Sequence, residues 1–94
     1  MLDFYFIADE QAATLPAARL QYAGGVAEEE FEMGQKTGLI EAAADYYTDF
    51  RWSSEQVRQK VALLAHCPFH ASTALDRMLN HAQAAGLGLL AVAD

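Results

Sequence analysis

Residues 45–56, DYYTDFRWSSEQ, are the part of the chain that says most about its fold. The segment contains two tyrosines, a phenylalanine and the only tryptophan, and it ends on residues typical of a helix start. The residues before it are strongly acidic, whereas the residues after it are nearly neutral and have helical periodicity. We therefore interpret the two halves of the chain separately.

Residues 53–56, SSEQ, have the pattern of a capping box, in which Ser53 and Gln56 each bond the other residue's backbone N–H. Trp52 and Val57 flank this box as the two members of a hydrophobic staple. The apolar residues that follow predict one helical face: Val57, Val61 and Leu64. The residues predicted to lie opposite are polar: Arg58, Gln59 and Lys60.

Two consecutive helices are predicted in this second half. The first ends by Pro68, because proline has no backbone N–H to donate. The second begins at Ser72 or Thr73 and stops at Gly86, a residue that readily ends helices. Its apolar residues recur at helical spacing: Leu75, Met78, Leu79 and Ala82.

The two ends of the chain predict strands. Residues 2–8, LDFYFIA, are rich in aromatic residues and alternate between two faces. Residues 87–92, LGLLAV, form a short apolar run of strand length. Residues 9–25 contain Pro16 and the Gly24–Gly25 pair, so we predict a loop there, with one short helical turn near residues 17–22.

The acidic half predicts helices that give way to extended chain. Residues 26–37, VAEEEFEMGQKT, carry acids in the first turn and Lys36 near the end, which suits the helix dipole. Residues 39–44 are rich in alanine and predict a short second helix. Residues 46–52, YYTDFRW, contain strand-forming residue types, so we predict an extended or irregular segment there instead.

These elements predict a single α+β domain over residues 1–94. The two terminal strands pair into a small sheet, and three or four helices pack against it. Two strands alone are marginally stable, so helices or a second chain must complete the sheet.

The formal charge of −7 arises from 13 acidic and 6 basic residues and is concentrated in the first half. Residues 1–49 contain ten acidic residues against Arg19 and Lys36, whereas residues 50–94 contain three against four basic residues. This field repels nucleic-acid phosphates and anionic lipids, and it attracts basic proteins. We therefore expect a protein partner, with no nucleic acid and no membrane.

The N-terminal residues and the cysteine content bear on the cellular compartment. MLDFYFIADE has an acid at position 3 and a short apolar run, unlike a secretion signal. No stretch approaches the ~20 apolar residues of a membrane span. The single Cys67 can form no intrachain disulfide. We expect a cytoplasmic protein.

Tyrosine, tryptophan and arginine dominate binding hot spots, and residues 45–56 concentrate them beside carboxylates. We predict that Phe50 and Trp52 belong mostly to the core. The predicted partner-binding residues are Asp45, Tyr46, Tyr47, Asp49 and Arg51, together with Glu28 and Glu29. In the alternative interpretation, Arg51 pairs with Asp45 or Asp49 and only braces the segment.

Enzymatic chemistry has two candidates. Asp45 and Asp49 form a carboxylate pair beside large aromatic residues, which could serve acid–base catalysis. However, the sequence contains no glycine-rich phosphate loop, nucleophile elbow or zinc-binding helix motif. We predict no catalytic residue and no cofactor.

The second candidate is a group of metal-ligand residue types: His66, Cys67, His70 and His81. Cys67 and His70 have a Cys-x-x-His spacing that suits zinc. The chain has only one cysteine, and His81 lies on a separate predicted helix. We predict a helix-ending loop with no metal site and keep a small metal-dependent enzyme as a third hypothesis.

The sequence from Gly38-Leu-Ile through Asp45-Tyr-Tyr-Thr-Asp-Phe-Arg-Trp-Ser-Ser-Glu-Gln56 resembles small acidic bacterial proteins in which a Tyr-x-Asp-x-Arg element runs into a Ser-started helix. Several of these proteins look like immunity partners of bacterial toxins. The resemblance covers about twenty of the 94 residues, and Phe50 and Trp52 stand where smaller residues are common. It implies a toxin-neutralising protein without catalytic residues.

Charge, aromatic content and this resemblance together favour a protein-binding module, most concretely an immunity-type inhibitor that covers a basic surface on a toxin. The alternative from another class is a structural homodimer, in which an exposed strand edge completes a sheet with a second chain.

Overall fold

The computed structural model describes residues 2–11, 20–65 and 74–93. Its elements in chain order are β1 (Leu2–Ile7), β2 (Gln21–Val26), α1 (Glu28–Lys36), β3 (Phe50–Trp52), α2 (Ser54–Ala65), α3 (Ala74–Ala85) and β4 (Gly88–Val92). One antiparallel sheet and three helices make up the described part of the chain, which confirms the predicted α+β class.

The sheet has the strand order β2-β1-β4-β3. β1 and β4 lie side by side at its centre, with Tyr5 opposite Leu90 and Phe6 opposite Leu89. The predicted pairing of the two terminal strands is therefore correct. The sheet is larger than predicted, because β2 adds to one edge and β3 to the other.

β2 corrects the prediction that residues 9–25 form a loop. Gln21 and Tyr22 lie in this strand and not in a helical turn; residues 12–19 lie outside the described residues. The pairing register shifts between Phe4 and Tyr5, which gives β2 an irregularity at Ala23. The two glycines lower the intrinsic strand propensity, so β2 depends on the neighbouring β1 for its ladder.

The helix α1 forms within the predicted residues 26–37. Its first turn contains Glu28, Glu29 and Glu30, and Lys36 lies in its last turn. Gly38 follows with a φ of 83°, a left-handed conformation that glycine adopts without strain.

The predicted helix over residues 39–44 is wrong, because these residues form bends and turns. Leu39 and Ile40 turn into the core, and the Ile40 side chain lies over Gly34 of α1. The Gln35 side-chain amide donates to the carbonyl oxygens of Glu41 (3.1 Å) and Ala44 (2.9 Å). This segment therefore wraps around the C-terminal end of α1, and tertiary contacts override its helix propensity.

The start of α2 has the predicted capping box. The Ser53 backbone N–H donates to Gln56 Oε1 (2.8 Å), and the Gln56 backbone N–H donates to Ser53 Oγ (3.2 Å). The predicted helix end by Pro68 and the predicted start at residues 72–73 lie outside the described residues. α3 ends before Gly86, which has a φ of 70°.

The core lies between one face of the sheet and the helices. Alternate residues of β1 contribute to it, as do the predicted apolar faces of α2 and α3: Leu2, Phe4, Phe6, Val57, Leu64, Leu75, Met78, Leu79 and Ala82. Trp52 is buried, and Phe50 packs against the core from a partly exposed position. The predicted core role of both residues agrees with this arrangement.

Lys60 corrects the predicted polar face of α2. Its side chain is buried, whereas Arg58 and Gln59 are exposed as expected. Lys60 follows Val57 by three positions and precedes Leu64 by four, so it lies on the apolar side of the helix.

Candidate functional site: an acidic groove beside helix α1

A concave surface of about 370 Å³ lies between α1 and the segment that follows it. We call it the acidic groove. Its lining residues are Glu28, Phe31, Glu32 and Gln35 from α1 and residues 42–47 from the following segment. Three of these residues are carboxylates (Glu28, Glu32 and Asp45), and none is lysine or arginine.

The carboxylate side of the groove follows from helix geometry. Glu28 and Glu32 are four residues apart on α1, so their side chains lie on the same face. Asp45 stands on the opposite wall, where its Oδ1 accepts a hydrogen bond from the Tyr47 backbone N–H at 2.9 Å. This local turn orients the chain at Tyr47.

Aromatic rings in edge-to-face contact form the floor and one wall of the groove. The ring of buried Phe31 is 5.4 Å from that of Tyr46 in an edge-to-face arrangement, and Tyr46 is 5.2 Å from Tyr47 in the same arrangement. The Tyr46 hydroxyl donates to the carbonyl oxygen of Val26 at 3.1 Å. Tyr46 is thereby fixed at both ends, and it supports the more exposed Tyr47.

Tyr47 is 68% exposed, yet its orientation is defined. Its hydroxyl donates to Glu28 Oε2 at 2.6 Å. This hydrogen bond to the Glu28 carboxylate, together with the negative charge of Glu28, raises the pKa of Tyr47 above its usual value. A tyrosine phenol is protonated at neutral pH in any case, so Tyr47 is a hydrogen-bond donor at the rim of the groove.

A cluster of Glu41, Trp52 and Lys60 anchors this segment; Trp52 and Lys60 are buried, whereas Glu41 is exposed. The Lys60 ammonium donates to the carbonyl oxygen of Leu39 at 2.8 Å and to Glu41 Oε1, and it lies 4.4 Å from the centre of the Trp52 ring. Trp52 Nε1 donates to Glu41 Oε2 at 3.0 Å. The segment that lines the groove is therefore tied to α2 and β3.

The same cluster sets the ionisation of Glu41. Partial burial acts to raise the pKa of this carboxyl, but the hydrogen bonds from Lys60 and Trp52 outweigh burial and lower it. Glu41 is thus held as a carboxylate whose two oxygens are both occupied by donors. It serves the shape of the groove and does not line it.

Four of the seven predicted partner-binding residues come together in the acidic groove: Glu28, Asp45, Tyr46 and Tyr47. Glu29 is exposed on α1 outside the groove. Asp49 also lies apart, and its Oδ1 accepts a hydrogen bond from the Ala93 backbone N–H at 2.8 Å. The sequence did not indicate Phe31, Glu32 or Gln35, although the four-residue spacing of Glu28 and Glu32 was a usable signal.

Arg51 serves another part of the molecule. Its guanidinium donates to the carbonyl oxygens of Ala8 (2.8 Å), Asp9 (3.1 Å) and Gln11 (2.7 Å). The alternative prediction that Arg51 pairs with Asp45 or Asp49 is therefore wrong. Arg51 instead fastens the turn after β1 to β3.

Of the four candidate metal-ligand residues, the structure describes His81. His66, Cys67 and His70 lie outside the described residues. His81 lies on α3, where its ring is 4.8 Å from that of Phe6. Among residues 2–11, 20–65 and 74–93, no three His, Cys, Asp or Glu residues are grouped closely enough to hold a metal ion.

No helix in the described part of the chain is long and apolar enough to cross a membrane. Comparisons of the chain with protein-family models, with curated proteins and with solved structures found no match. The resemblance of residues 38–56 to immunity-type proteins therefore stays a prediction. What the groove does must be argued from its own shape and chemistry.

Proposed function

We propose that this protein is a binding module whose acidic groove takes up basic side chains on the surface of a partner protein. Its most specific form is an immunity-type inhibitor, which neutralises a basic toxin by covering the surface that the toxin needs. The observation that carries the proposal is the combination of Glu28, Glu32 and Asp45 with the tyrosine wall in one groove.

This combination suits a lysine or arginine side chain. Carboxylates on both walls offer charged acceptors, and a guanidinium can engage one of them through two parallel hydrogen bonds. The faces of Tyr46 and Tyr47 attract a cation through their π systems, an interaction worth about 0.5–2 kcal/mol. An incoming cation would compete with the Tyr47 hydroxyl for Glu28, and that hydroxyl could then turn to the partner.

The groove is also held in shape before binding. Gln35 bonds the segment to α1, and the cluster of Glu41, Trp52 and Lys60 bonds it to the rest of the fold. A preformed site loses less conformational freedom on binding, so more of its interaction energy appears as affinity.

Long-range charge adds to the local chemistry. The chain carries a net charge of −7, which accelerates encounter with a basic partner at low salt. The proposed mechanism is therefore occlusion guided by electrostatic complementarity, and it requires no catalytic step.

An affinity capture from the native organism tests this function. The tagged protein is incubated with extract and washed at low and at high salt, and the retained proteins are identified. We expect a basic protein that high salt removes and whose toxicity the purified chain suppresses. Retention that ignores salt, or a partner that is not basic, would contradict the proposal.

A further inference from the structure

The side-chain donors that line the acidic groove are all occupied. Among the described residues that line it, the side chains with an N–H or O–H donor are Gln35, Tyr46 and Tyr47. The Gln35 amide donates to two backbone carbonyls, at 3.1 Å and 2.9 Å. The Tyr46 hydroxyl donates to the carbonyl oxygen of Val26, and the Tyr47 hydroxyl donates to Glu28. A ligand in the groove therefore meets no unused side-chain donor.

The groove does have unused acceptors. Glu28 and Asp45 each use one carboxylate oxygen in a hydrogen bond from Tyr47, and the other oxygen of each accepts none from a described residue. Neither oxygen of the Glu32 carboxylate accepts a hydrogen bond within the described part of the chain, and the same holds for the Gln35 side-chain oxygen. A ligand that matches this surface carries a positive charge and several N–H donors.

Arginine is the side chain that meets this requirement best. Its guanidinium has five N–H donors in a fixed planar fork, is always charged and has no acceptor. A lysine ammonium has three donors, is more strongly hydrated and meets a carboxylate as a point charge. The unused carboxylate oxygens lie on both walls of the groove, so a guanidinium can use more of them than an ammonium can.

The tyrosine wall is a second reason to expect arginine. Tyr47 is 68% exposed, and the Tyr46 ring packs against it at an interplanar angle of 89°. The open part of the Tyr47 ring lies beside the Glu28 carboxylate, which is 2.6 Å from the Tyr47 hydroxyl. A guanidinium can stack its flat face on such a ring while its N–H edge bonds a carboxylate. An ammonium has no flat face with which to stack.

We propose that the acidic groove selects arginine over lysine. This inference rests on the proposed function and narrows its ligand from basic side chains in general to the guanidinium group. The guanidinium lies against the Tyr47 ring. Its N–H groups donate to Glu28 and Glu32 on one wall and to Asp45 on the other. The net charge of −7 attracts both kinds of cation at long range, so the preference arises in the groove itself.

Four short peptides that differ at one position test this preference on the full chain. Each is acetyl-Gly-Ser-Xaa-Ser-Gly-amide, with arginine, lysine, citrulline or trimethyllysine at Xaa, and NMR titration of the isotope-labelled protein at low salt gives the affinity. Citrulline keeps the planar shape without the charge, whereas trimethyllysine keeps the charge without an N–H donor. We expect the arginine peptide to bind about fivefold more tightly than the lysine peptide and about tenfold more tightly than the other two.

Two substitutions of Tyr47 test the role of its ring. Tyr47→Phe keeps the aromatic face, so the preference for arginine should stay near fivefold. Tyr47→Leu removes the face and should reduce the preference to about twofold or less. The ratio of the two affinities is the readout, because a general disturbance of the groove would weaken both peptides alike.

Equal affinities for the arginine and lysine peptides would overturn the preference and leave the proposed function intact, because the groove would then bind cations by charge. Tightest binding of the trimethyllysine peptide would also overturn it, since the rings alone would then select the ligand. If none of the peptides shifted the resonances of residues 28–35 and 42–47, that result would contradict both the preference and the proposed function.

Discussion

Lys60 lies on the apolar side of α2, and its charged ammonium group has interaction partners there. Its ammonium satisfies the Leu39 carbonyl and Glu41, and it lies against the face of Trp52. One long side chain thus connects α2, β3 and the segment after α1. A buried charge that keeps its partners is tolerated, but loss of one partner leaves the others unsatisfied.

The first prediction concerns this residue. Lys60→Met keeps most of the side-chain volume but removes the donor from Leu39 and Glu41, so we expect the free energy of unfolding to fall by about 2 kcal/mol. Urea unfolding followed by Trp52 fluorescence measures it. Arg58→Met on the exposed face of the same helix is the control, with an expected change within about 0.5 kcal/mol. If Lys60→Met were as stable as the unmodified chain, the contacts of Lys60 with Leu39, Glu41 and Trp52 would not stabilise the fold.

The second prediction concerns Gly34. A Cβ atom at this position would lie 2.7 Å from Ile40 Cδ1, closer than packing allows. The overpacking caused by Gly34→Ala should therefore lower the free energy of unfolding by about 1–3 kcal/mol. The higher helix propensity of alanine should offset up to about 1 kcal/mol of that loss. Ile40→Val removes the Cδ1 atom, so the same glycine change should cost less in that background. A double-mutant cycle measures the coupling, and a stabilising Gly34→Ala would contradict the close contact.

At the scale of the helices and strands, the start of α2 is stabilised both by its own capping box and by a residue distant in sequence. The capping box provides a hydrogen-bond acceptor for the Ser53 backbone N–H, and Asp9, from the turn after β1, provides one for the Ser54 backbone N–H. Asp9 accepts hydrogen bonds from the Ser54 hydroxyl (2.5 Å) and the Ser54 backbone N–H (2.8 Å). These two hydrogen bonds lower the pKa of Asp9 below its usual value.

The third prediction is a loss of stability in acid that depends on Asp9 and Glu41. The folded pKa of both carboxyls lies below their ordinary values of 3.8 and 4.5. Their contribution is therefore complete above those pH values and is lost as the pH falls through the lower folded values. We expect the free energy of unfolding to decline below about pH 4.5 and to decline less steeply in Asp9→Asn and Glu41→Gln.

Urea titrations at a series of pH values measure this decline. Glu10→Gln changes an exposed carboxyl in the same turn as Asp9 and serves as the control, with the steepness of the unmodified chain. A decline that is as steep without Asp9 and Glu41 would show that other carboxyls cause it.

Elements with a strong local pattern could be predicted from the sequence. β1 and β4 are apolar runs of strand length, and the predicted helices over α1, α2 and α3 rest on acidic first turns, apolar spacing and the capping box. Those elements agree with the structure where it describes them. β2 could not be predicted, because it depends on pairing with β1. The conformation of residues 39–44 could not be predicted either, because it depends on the close contact of Ile40 with α1, which the absence of a side chain at Gly34 permits.

The candidate site was predictable in composition more than in geometry. The tyrosines and acids were recognised from residue types alone, and four of them line the groove. The contact of Tyr47 with Glu28 joins residues 19 positions apart, and no local pattern encodes it. The sequence predicts Arg51 as a partner-binding residue or, in the alternative interpretation, as the partner of Asp45 or Asp49, whereas extended β3 directs it to carbonyls near Asp9.

For the molecule as a whole, net charge alone would attract any basic protein. The proposed function claims more, because it assigns binding to the acidic groove. Glu28 and Glu29 separate these two possibilities. They are adjacent in the first turn of α1 and carry the same charge, but only Glu28 lines the groove.

The most direct measurement is therefore the affinity of the captured basic partner for two matched variants, Glu28→Gln and Glu29→Gln, at low and at high salt. Glu28→Gln keeps an acceptor for Tyr47 and removes the charge, so we expect affinity to fall about tenfold or more. Glu29→Gln should change affinity by less than about twofold, with a similar loss of salt dependence in both. Equal weakening by the two variants would mean that only net charge attracts the partner, and that the groove is not its binding site.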